Sequence, residues 1–74
     1  MSQSNGSFLA WLALQAQRDD AVGDCARDML DDPDWPTTAT TFETARDYLD
    51  SVNASRLAIE ALREAWDEWQ RRQR

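Results

Sequence analysis

The spacing of apolar residues between Leu57 and Trp69 constrains this fold more than any other feature. At 100° per residue, Leu57, Ala58, Ile59, Ala61, Leu62, Ala65, Trp66 and Trp69 cover about half of a helix circumference. Glu60, Arg63, Glu64, Asp67 and Glu68 take the remainder. A stripe that wide needs neighbours on more than one side, so the segment predicts a long last helix at the centre of the fold, running to about Arg71. No segment shows strand-like alternation, and there is no internal repeat or low-complexity tract. The chain has 74 residues, enough for one domain. A domain of that size hides only about 60% of its unfolded surface. It has one cysteine, Cys25, and no histidine, so neither an internal disulfide nor a zinc cluster can staple it. Apolar packing must do so, and four tryptophans supply large rings for it.

Three further helices are expected upstream. Residues 1–6 are small and polar and read as a disordered lead-in. Ser7 suits an N-cap, followed by a first helix from Phe8 to about Gln17 that is apolar nearly all round. Phe8, Trp11 and Leu12 suffice to seat it. Leu9 and Leu14 point apart; full burial of both under the long last helix is the favoured expectation, with one of them exposed for a partner or homodimer contact as the alternative. Asp19 or Asp20 caps a second helix, about Ala21 to Asp31, with Val22, Cys25, Ala26, Met29 and Leu30 on one side. Gly23 within it predicts close approach of another backbone or ring, with Trp11 as the candidate. Pro33 and Pro36 then forbid helix and bracket Trp35, which is expected to pin an irregular 32–39 loop that leaves room for a fifth turn. Thr40 and Glu43 have capping-box spacing before a third helix to about Ser51. Asn53 is the candidate cap of the last helix. The domain proper is read as 7–71, with 72–74 as a basic tail.

The net charge is -6, from 14 acidic and 8 basic residues. That balance disfavours nucleic acid and anionic lipid as partners unless the cations cluster. All eight cations are arginine. The apolar run Phe8 to Leu14 is too short to span a bilayer, and no cation precedes it as in a signal peptide. With a lone cysteine, these features predict a cytoplasmic protein.

SFLAWL (7–12), RDDAVGDCARD (18–28), DWP (34–36), DYL (47–49) and A-x-x-A-L-x-x-A-W-x-x-W (58–69), in this order and spacing, resemble the YozE family of small bacterial proteins. The resemblance covers roughly residues 7–70. It implies an all-α SAM-like fold, a compact bundle of four short helices with the C-terminal one longest. It assigns Phe8, Trp11 and Leu12 to the first-helix core, Trp35 and Pro36 to a loop anchor, and Trp66 and Trp69 to closing aromatics. It implies no biochemical activity. Elsewhere such folds serve as protein-interaction modules, and some bind nucleic acid, which is analogy at the level of fold.

Chemistry-bearing residues are few. Without histidine or lysine, the commonest general base and the Schiff-base nucleophile are missing, and two glycines make no phosphate loop. No catalytic residue, metal ligand or cofactor site is assigned. What stands out is seven aspartates and one arginine within residues 19–34. Asp20, Asp24, Asp28 and Asp31 fall within about 80° of one another on a helix. Asp20 and Asp24 lie near the favourable positive end, while Asp28 and Asp31 lie near the negative end and lose by it. A stripe that breaks local rules without compensation points to a docking surface for an unidentified basic protein partner, and less to a divalent ion, since DDPDWP lacks an EF-hand's glycine and glutamate. The plainer reading is a solvated face, partly neutralised by Arg18, Arg27 or Arg46. The rival function is nucleic-acid binding through Arg63, Arg71, Arg72 and Arg74 at the end of the last helix, with Trp69 beside them as a stacking ring. A monomer or weak homodimer is expected. Cys25 reads as a small core residue whose thiol Asp24 holds protonated.

Overall fold

A computed structural model describes residues 8–36 and 41–73. Four helices follow in order: α1 (Phe8–Ala13), α2 (Ala21–Asp31), α3 (Phe42–Ser51) and α4 (Arg56–Arg72). α4 is the longest, and α1, α2 and α3 all pack against it, with α1 also against α2. The wide stripe therefore has the neighbours it requires. Ala61, Leu62 and Ala65 from it are buried. They meet Phe8, Leu12, Val22, Ala26 and Ala45 in one cluster. Phe8 is boxed by Trp66 and Trp69, with ring centroids 5.1 and 5.7 Å away. One residue leaves the stripe: Leu57, in the first turn of α4, is 76% exposed.

α1 ends at Ala13, a turn earlier than the spacing predicts. The amides of Leu14 and Gln15 donate to Trp11 and Leu12 carbonyls at 3.1 and 2.8 Å, the three-residue step that tightens a helix end. The Arg27 guanidinium then crosses from α2 to the carbonyls of Ala16 and Arg18, at 2.7 and 2.9 Å. A side chain from the next helix thus satisfies the acceptors of the 14–18 turn, which would otherwise call for more helix. Leu9 packs on the core, but Leu14 is exposed, against the expected full burial, because α1 ends before it and the chain turns away. The proposed cap Ser7 lies outside the described residues, as does the 1–6 lead-in.

Asp20 caps α2, accepting from the Gly23 amide at 3.0 Å. Val22, Cys25, Ala26 and Met29 are buried, but Leu30, 100° round from Met29, turns outward. The chain then turns at Asp32, which accepts from the Trp35 amide at its carbonyl and from the Asp34 amide at its carboxylate. Over 32–36 this is a turn and not a fifth helix, and 37–39 lie outside the described residues. Trp35 is buried as expected, its ring 5.5 Å from that of Tyr48, whose hydroxyl donates to Asp32.

Two caps differ from the sequence reading. α3 begins at Phe42 with Thr41 as cap, accepting from the Thr44 amide at 3.2 Å. In that register Glu43 is the second helical residue and cannot close a box with Thr40, which lies outside the described residues. Asn53 does not cap α4. It sits at φ 61 and ends α3: its amide donates to Asp50, and the Ala54 amide to Leu49 at 2.9 Å. This paired closure uses a left-handed residue just past the helix, a conformation asparagine tolerates. Ser55 caps α4, accepting from the Ala58 amide at 3.1 Å.

Candidate functional site

The four aspartates of the acidic stripe divide by partner. Arg18 is the hub of the first pair. Its guanidinium lies 2.7 Å from Asp20 and 2.8 Å from Glu68 of α4. These hydrogen bonds hold both carboxyls below the usual range, and Asp20 is lowered further by the Gly23 amide. They push the Arg18 guanidinium up. Asp20 is thereby part of the architecture: it caps α2 and holds Arg18, which joins the α1–α2 turn to α4 through Glu68. Asp24 pairs with Arg27, whose other nitrogen holds the Ala16 and Arg18 carbonyls.

Asp28 and Asp31 remain. Both are exposed, and neither has a partner among the described residues. No basic residue stands in the last turn of α2. Arg46, the remaining candidate for neutralisation, turns to Asp50 on its own helix, 3.8 Å away. Two unpaired carboxylates thus sit at the end of a helix whose dipole already points negative there.

The charge of Asp28 is felt at Cys25. That thiol is pushed up to about 12, first by burial and then by Asp28, not by Asp24 as the sequence suggested. One helical turn explains the exchange: Asp28 and Cys25 are three residues apart on one face, while Asp24 is adjacent and points aside. Gly23 does answer a close approach, though not of Trp11. A Cβ there would stand 2.0 Å from the Arg18 carbonyl oxygen. Beside the acidic residues runs a groove of about 410 Å³ between α2 and α4, with Asp24, Asp28 and Leu57 among its lining residues.

The arginines of the rival site differ in their surroundings. Arg63 is 3.5 Å from Asp67, and its guanidinium lies 5.4 Å from the centroid of the Phe42 ring. Arg71 and Arg72 are exposed in the last turn of α4, and Arg72, placed in the helix and not in a tail, adds to the field that lowers Glu68. Arg74 lies outside the described residues. Trp69 faces Phe8 and Trp66 as part of the ring cluster.

Two contacts that matter here escaped the sequence reading, although Arg27 was expected as a neutraliser of the stripe and does pair with Asp24. Glu68 meets Arg18 across fifty positions, which no local spacing signals. Arg27 spends its guanidinium on backbone carbonyls, for which the sequence carries no motif. Among the described residues no three acidic or thiol groups are placed to hold a metal ion, and no helix is long and apolar enough to cross a membrane. The model of the family described as YozE SAM-like fold matches residues 7–71. No curated protein and no solved structure matches the chain.

Proposed function

This chain belongs to the YozE SAM-like family, whose helical fold it adopts, and we propose that it is a non-enzymatic protein-interaction module that docks a basic partner on the acidic face of α2. One observation carries the reading: Asp28 and Asp31 stay exposed and unpaired at the negative end of their helix, while every other member of the stripe is engaged. The face thus keeps a charge surplus that folding does not use. Asp20 belongs to the fold, and Asp24 stands at the edge of the site with its charge partly met by Arg27. The family match speaks to fold, so the function rests on this electrostatic argument. A cytoplasmic location and a monomer or weak homodimer complete the reading. Nucleic-acid binding has less support, since Arg63 is committed to Asp67 and Phe42 and the net charge opposes it.

The test is a tagged pull-down from nuclease-treated native lysate, with wild type beside an Asp28→Asn, Asp31→Asn variant. A protein held by the wild type and lost from the variant is the expected result. Equal capture by both baits would rule the face out. A shift of duplex or single-stranded DNA at low salt, lost steeply as salt is added, would favour the arginine end of α4 instead.

A further inference from the structure

The acidic face borders a groove with a composition of its own. Ala21 and Cys25 of α2 meet Ala58 and Ala61 of α4, so its walls are small side chains and backbone can approach them closely. Asp24 and Asp28 line it on the α2 side. Leu57 lines it on the α4 side at 76% exposure, although its helix has a buried stripe a fraction of a turn away. An apolar side chain and an unpaired carboxylate therefore open into one cleft, from two different helices. Arg27, the basic residue lining it, is already committed to Asp24 and two backbone carbonyls. The cleft thus offers one unpaired carboxylate, Asp28, and one exposed apolar side chain, Leu57.

We propose that the α2–α4 groove receives an amphipathic helix of a partner protein, with its apolar edge on Leu57 and an arginine or lysine one turn along on Asp28. The proposal rests on the docking reading above and specifies the partner's chemistry. Small walls admit a helix, since close backbone approach needs small side chains between the axes. Charge complementarity selects a basic one. Leu57 distinguishes this arrangement from a purely electrostatic face, because its contribution survives added salt while that of Asp28 does not.

The experiment titrates a designed helical peptide, with leucine and alanine on one edge and arginine one turn along, into the isotope-labelled full chain and follows amide shifts. Its controls are a peptide of the same composition in scrambled order and one with glutamate in place of arginine. Expected are shifts concentrated at Ala21, Cys25, Asp28, Leu57, Ala58 and Ala61, with neither control binding there. Leu57→Gln should weaken binding about ten-fold at any salt. Asp28→Asn should weaken it about three-fold, and only at low salt. Both positions are exposed, so the variants fold, and unchanged amide spectra elsewhere check that. Binding that Asp28→Asn weakens and Leu57→Gln leaves untouched would overturn the groove while keeping the acidic docking face. Shifts elsewhere on the chain, or equal binding of the scrambled peptide, would overturn both.

Discussion

Gly23 shows how much one residue decides in a domain this small. Alanine is the better helix former by about 1 kcal/mol, so a propensity argument alone favours Gly23→Ala. A Cβ would stand 2.0 Å from the Arg18 carbonyl oxygen, which is backbone and is also held by Arg27. The clash cannot be relieved by a rotamer change, so steric overlap wins over propensity. Gly23→Ala is expected to destabilise the domain by about 2 kcal/mol in urea unfolding. A stabilised variant would mean that the 14–18 turn yields freely. The glycine's role was legible in the sequence as a demand for close approach. Its partner was not, because the approaching group is a carbonyl placed by a turn, and no side-chain pattern marks a turn's carbonyls. Cys25 teaches the same lesson: its burial followed from periodicity, while the identity of the neighbouring charge needed the actual helix face.

At the scale of the element, existence was readable throughout, and ends were readable only where the signal is local. The bounds of α2 match because Asp20 and Pro33 act locally, one by capping and the other by forbidding continuation. α1 stops early where a turn takes over, and Arg27 from another helix holds that turn by the Ala16 and Arg18 carbonyls, a tertiary effect invisible in a local window. The α3–α4 junction was misread because Asn53 suits both a cap and a left-handed position, and Ser55 was free to take the other role. The assignment has a direct check. Asn53→Ala removes the short polar side chain that makes φ 61 tolerable for a residue with a β-carbon and is expected to lose about 1 kcal/mol, whereas Asn53→Gly, with no β-carbon, should be neutral or slightly stabilising. Equal loss in both variants would mean that the asparagine side chain matters as a cap of α4 after all. The thermal midpoints of the three proteins decide between these outcomes.

For the whole molecule, the central placing of α4 was legible because half a circumference of apolar residues leaves no alternative in a chain this short. The acidic stripe was legible as a pattern and not as a site. Its division needed Arg18 and Arg27, whose partners lie in a turn, across α4 and on the backbone. What remains is a stable core with two carboxylates that local physics disfavours, beside a groove whose exposed leucine is likewise unused. On the proposed docking function these charges are kept for a partner at the expense of the isolated domain. Each costs roughly 0.3–1 kcal/mol at the helix end, and repulsion at three- and four-residue spacing adds a few tenths.

Urea unfolding of the Asp28→Asn, Asp31→Asn variant at low and high salt measures this directly. If the docking function is right, the variant is about 1 kcal/mol more stable than wild type at low salt, with the gain fading as salt screens the wild-type repulsion. A variant less stable than wild type at low salt would contradict it, since the two carboxylates would then belong to the fold and leave no surplus for a partner.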